Sequence, residues 1–99
     1  MSFRVRFTKV AKDDLKRLYG SLLDHDQLAA RRAIKIIEQS LKLLRDFPFA
    51  CRKATPDNPF LREMLISFGA SGYVLMFEIE DKDTVTILAV RHQREEDYH

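Results

Sequence analysis

Residues 84–98, TVTILAVRHQREEDY, place the strongest constraint on the fold. The first seven are Thr, Val, Ile, Leu and Ala, mostly types that suit a pleated and partly buried surface, so 84–90 reads as a strand. Alternation puts Val85, Ile87 and Ala89 on one face and Thr86, Leu88 and Val90 on the other. Both faces are largely apolar, which gives this strand a central place or cover on both sides. The chain then turns polar at once: Arg91, His92 and Arg94 stand where the strand leaves the sheet, followed by Glu95, Glu96 and Asp97. Strand ends are where sheets display functional side chains, and a solvated charged tail is the competing reading.

Such a strand needs a covering layer, and 99 residues at 45% apolar content supply one two-layer domain over 1–99. A chain this short has little room for an internal cavity, so function belongs on its surface or in a shallow groove. The net charge of +2, from 17 Lys and Arg against 15 Asp and Glu, permits nucleic-acid binding without demanding it. The single cysteine, Cys51, excludes an internal disulfide and a thiolate zinc site and fits a reducing cytoplasm. No base neighbours it in sequence, so it reads as a partly buried structural thiol. His25 has no second ligand at metal spacing, and neither metal nor cofactor is expected. The opening MSFRVRF has no apolar run, so neither a signal peptide nor a membrane anchor is expected, and the location implied is cytoplasmic.

From the start, residues 3–7 alternate Phe, Arg, Val, Arg, Phe, a short strand with Arg4 and Arg6 on its wet face. Thr8 can cap a helix, after which Val10, Ala11, Leu15, Leu18, Tyr19, Leu22 and Leu23 recur at helical spacing. Asp24-His25-Asp26 breaks that stripe near Leu23, and Asp26 caps a second helix from near Gln27, with Leu28, Ala29, Ala33, Ile36, Ile37, Leu41 and Leu44 on one side. So short a connection makes an antiparallel helical hairpin. Leu15, Leu18, Ile36, Ile37 and Leu41 read as core. Pro48 stops the second helix, and Pro56 and Pro59 bracket an irregular segment over 49–60. Residues 61–68 and 73–80 read as strands joined by the GASG turn at 69–72, and Asp81-Lys82-Asp83 turns into the last strand. In the middle strand Tyr73, Leu75, Phe77 and Ile79 should meet the helices. The architecture expected is α+β, two-layer, in the order β-α-α-β-β-β, with the helical hairpin packed on one face of a four-stranded antiparallel sheet.

That order, the FRVRFTKVAKDDL opening, the helix running into LLRDFP, the LRE-to-GYVLMFEIE hairpin and the closing VTILAVRHQREED resemble the ParE toxins of the RelE/ParE superfamily. The likeness spans essentially the whole chain. It implies the toxin half of a type II toxin-antitoxin pair that poisons DNA gyrase and is neutralised by a ParD-like antitoxin. The antitoxin would lay an amphipathic helix on the helical hairpin and an extended piece along the sheet, with Leu18, Leu22, Leu88 and Val90 as the docking candidates. Operator DNA would be met only through the antitoxin.

The sister branch, resembling RelE, implies a ribosome-dependent mRNA endonuclease on the same fold. Cleavage through the RNA's own 2′-hydroxyl needs a base, cations for the phosphate and an acid. In this chain Arg91, His92, Arg94 and Tyr98 would fill those roles, with Arg52, Lys53 and Arg62 as auxiliary cations. Arg91, His92, Arg94, Arg52, Lys53 and Arg62 are also the candidates for a non-enzymatic toxic surface. Two features place gyrase poisoning first. Glu95, Glu96 and Asp97 would repel phosphates. Arg91 and His92, adjacent on a strand, would point to opposite faces. A third reading is a homologue without toxicity that only docks an antitoxin.

Overall fold

The computed structural model describes residues 2–68 and 71–93. The elements are β1 (Arg4–Phe7), α1 (Lys9–His25), α2 (Gln27–Asp46), a 3-10 turn (Pro48–Ala50), β2 (Arg52–Thr55), β3 (Asn58–Phe68), β4 (Ser71–Ile79) and β5 (Thr84–His92). The sheet order is β1-β5-β4-β3-β2, and both helices pack on one of its faces. Among the described residues, no helix is long and apolar enough to cross a membrane.

Single side chains set the helix starts. The Thr8 hydroxyl accepts from Ala11 N at 3.1 Å, satisfying one of the donors that a helix start leaves without a partner. Asp26 serves both helices: its carboxylate accepts from Leu28 N and Ala29 N, while its own N–H closes α1 on the Leu22 carbonyl at 2.7 Å. With one residue between them, the helices fold back on each other. The end of α2 then meets the start of β1, where Phe3 N donates to the Arg45 carbonyl at 2.6 Å.

Two departures from the expected sheet have one cause. The segment 49–60, expected to be irregular, contains β2, which pairs with β3 through Arg52↔Glu63 and Lys53↔Arg62. Pro56 and Asp57 form its two-residue turn, proline's fixed φ suiting the first corner position. β3 accordingly starts at Asn58 and includes Pro59 close to its beginning, where a missing N–H costs little. One added strand reverses the direction of everything after it. β5 therefore runs parallel to β1, with Arg4↔Thr84 and Phe7↔Ile87 in register, and the sheet has five strands, not four, and is mixed rather than wholly antiparallel.

β4 begins at Ser71, so the expected turn is shorter on that side; its residues 69 and 70 lie outside the described residues. The turn at 81–83 is held by Asp83 N donating to the Asp81 carboxylate at 2.7 Å. Tyr73, Leu75, Phe77 and Ile79 of β4 face the helices, all nearly or wholly buried, with Val85, Ile87, Met64 and Ile66 beside them and Ala11, Leu18, Ala33 and Leu44 above. Leu15, Leu22, Ile36, Ile37 and Leu41 pack half-buried on that core. Burying each large apolar side chain contributes about 1.5–3 kcal/mol.

Candidate functional site

The far end of β5 is shaped by a β-bulge. β4 and β5 pair Phe77↔Ile87 and then Met76↔Ala89, so Leu88 is an extra residue. The insertion shifts the alternation by one. Val90, opposite Leu75, rejoins Ile87 on the helix side and is 0% exposed, whereas simple alternation set it opposite Ile87. Among the four docking candidates, Val90 is thereby removed: it lies in the core and offers a partner no surface. Leu88 is half-buried, as is Leu22, and Leu18 is almost covered.

Beyond the bulge, Arg91 stands opposite Val74 on the face away from the helices and is exposed. His92 stands opposite Tyr73 on the helix side, its ring edge-on to the Tyr73 ring at 5.8 Å and 87°. Tyr73 in turn stacks on Phe68 at 6.0 Å. Burial pushes the Tyr73 phenol above its ordinary value. The strand persists through His92, so the two basic residues occupy opposite faces. Arg94 and Tyr98 lie outside the described residues, as do Glu95, Glu96 and Asp97.

The remaining cations sit elsewhere, on β2 and β3, with β4 between them and β5. Arg52 Nε donates to Glu63 Oε1 at 2.7 Å, and Lys53 is exposed opposite Arg62. Arg62 is a brace. Its Nε donates to the Pro59 carbonyl at 2.6 Å, and one terminal nitrogen donates to the carbonyls of Cys51 at 2.8 Å and Phe49 at 3.3 Å. The guanidinium also lies 5.3 Å from the centroid of the Phe49 ring. Beneath it, burial raises the Cys51 thiol, opposed by the Arg62 charge. Among the described residues, no three of His, Cys, Asp and Glu stand together as metal ligands.

An apolar groove of about 310 Å³ lies between the two helices. Leu15, Leu18, Tyr19 and Leu22 of α1 form one wall and Ala33, Ile34 and Ile37 of α2 the other, with Tyr73 of β4, Lys16 and Glu38 also lining it. Two residues at the β5 end carried no sequence expectation as site residues: Tyr73, which was assigned only to the core, and Asp14, whose Oδ2 accepts from Val90 N at 3.0 Å. A signal for Asp14 exists: it stands three residues after Ala11 and four before Leu18, a carboxylate inside an apolar stripe.

A sequence model of the family described as ParE toxin of type II toxin-antitoxin system, parDE, matches residues 5–97. The chain is 35% identical over 85 residues to Toxin RelE3 of Caulobacter vibrioides, covering 86% of this chain and 88% of that protein. It is 34% identical over 79 residues to Toxin RelE1 of the same organism, covering 80% and 82%. A solved chain from the chromosomal ParDE TA system of P. aeruginosa superposes with a TM-score of 0.70 over 92% of this chain and 96% of that one, at 17% identity, which establishes likeness of fold.

Proposed function

The chain belongs to the ParE toxin family of type II toxin-antitoxin systems, and from that footing we propose that it acts by poisoning DNA gyrase and is held silent by a ParD-like antitoxin. The observation that carries the choice of target is the splay of Arg91 and His92 across the sheet. Transesterification of RNA requires a base, an acid and cations converging on one phosphate. The described part of β5 instead offers one exposed guanidinium on one side and an imidazole against Tyr73 on the other. That arrangement suits contact with a protein or a protein-DNA complex better than proton transfer at a single atom.

The groove between α1 and α2 supports the antitoxin part of the reading. Its walls are almost entirely apolar, and an amphipathic helix with anchors at three- and four-residue spacing fits such a trough. The outer edge of β2 gives an extended segment a strand to pair with. Purified protein should stop gyrase supercoiling or trap cleaved plasmid at stoichiometric amounts. No effect at large excess would overturn the assignment. A second reading, a ribosome-dependent endonuclease, is favoured by the RelE names of the two Caulobacter proteins. Mapping of mRNA 5′ ends after induction separates the two, since only the endonuclease leaves cuts phased to the ribosome.

A further inference from the structure

We propose that Asp14 is a positioning residue for the end of β5, fixing the segment that carries Arg91 and His92; the proposal rests on the toxin reading above. β1 ends at Phe7, opposite Ile87, so among the described residues no strand flanks the next part of β5 on that side. The beginning of α1 takes its place. Thr8 N donates to the Ile87 carbonyl at 3.0 Å, the Thr8 hydroxyl donates to the Leu88 carbonyl at 3.1 Å, and Asp14 Oδ2 accepts from Val90 N at 3.0 Å. Three successive contacts thus continue the ladder with a helix in the role of a strand.

The last of them is the strongest in kind. It is charge-assisted, and Asp14 lies largely out of solvent, its side chain 13% exposed with Oδ1 3.6 Å from the Arg17 guanidinium. It also falls directly after the Leu88 bulge, where β5 carries an extra residue against β4 and the ladder is irregular. Val90 is the residue before Arg91, so its anchor sets where that guanidinium leaves the sheet and where His92 meets Tyr73. An aspartate in the apolar stripe of α1 contributes less to the core than Leu would, and its place is accounted for by this contact.

The test compares Asp14→Ala with Asp14→Asn, which keeps an oxygen acceptor at the same reach. Amide hydrogen exchange of Val90 and Arg91 and the melting temperature are read on purified chain. Growth arrest on induction is read at matched protein levels. Asp14→Ala should speed Val90 exchange and raise the dose needed for arrest by about tenfold each, the scale of one charge-assisted hydrogen bond. Asp14→Asn, which keeps an acceptor but loses the charge, should fall between that variant and the wild type, about threefold from the latter in both. Unchanged Val90 exchange in Asp14→Ala, or faster exchange with undiminished arrest, overturns the proposal. If Asp14→Ala does not accumulate folded, Asp14→Ser, whose oxygen stops a bond short, carries the same two readings. A wild-type chain that arrests growth while sparing gyrase supercoiling removes the gyrase reading alone, and the variants still decide the role of Asp14.

Discussion

At Gly72 the sheet leaves no room for a side chain. A Cβ there would run into the Ile66 carbonyl oxygen, with Ser67 Cα only 3.2 Å away, and backbone cannot swing aside as a flexible side chain can. Gly72→Ala should therefore lose about 2 kcal/mol in urea denaturation, the usual scale for overpacking. The neighbouring Tyr73 makes the pH dependence specific. Its phenol is raised by burial, so the unfolded chain gives up that proton before the folded one does. Its contribution is complete below the ordinary phenol value and is lost as pH climbs through the folded one. Melting temperature should fall above about pH 10 more steeply in the wild type than in Tyr73→Phe, a comparison that cancels the other alkaline groups. The core role of Tyr73 was legible from alternation along its strand. Its contact with His92 was not, because it depends on which residue of β5 stands opposite.

Among the elements, the segment from the 3-10 turn through β2 is braced by one side chain of β3, beyond its backbone pairing. Arg62 supplies three carbonyl contacts and a ring contact. Arg62→Ala should speed proteolysis within 49–57 and cost about 1–2 kcal/mol in thermal unfolding, and Arg62→Lys should recover little, since an ammonium cannot span those acceptors in one plane. That strand was hidden in the sequence because RKAT carries no alternation and prolines follow on both sides of Asp57-Asn58, which read equally well as a loop. The bulge was hidden for a related reason. Both sides of β5 are apolar, so shifting the pattern by one residue changes no hydropathy, and only the partner strand reveals that Leu88 is the insertion. The helices, by contrast, declared themselves twice, by stripe and by the capping oxygens of Thr8 and Asp26.

For the whole molecule, the two-layer α+β arrangement with both helices on one face followed from the order of periodicities, while the direction of β1 against β5 did not, since it depends on counting every strand between them. The layering also sorts the residues expected to dock a partner. Val90→Ala should destabilise by about 2 kcal/mol, as core truncations do, and alter binding only through folding. Leu22→Asp, at a half-buried groove wall, should keep the fold by circular dichroism and weaken capture of a co-expressed antitoxin by tenfold or more, on the order of one lost hydrophobic anchor. The groove and the β5 end are not independent, because α1 serves both: Leu15 lines the trough while the preceding residue, Asp14, grips Val90. Tyr73 serves both as well, since it lines the trough and its ring lies against His92, so a helix seated there would bear on the working end of β5 through two residues at once.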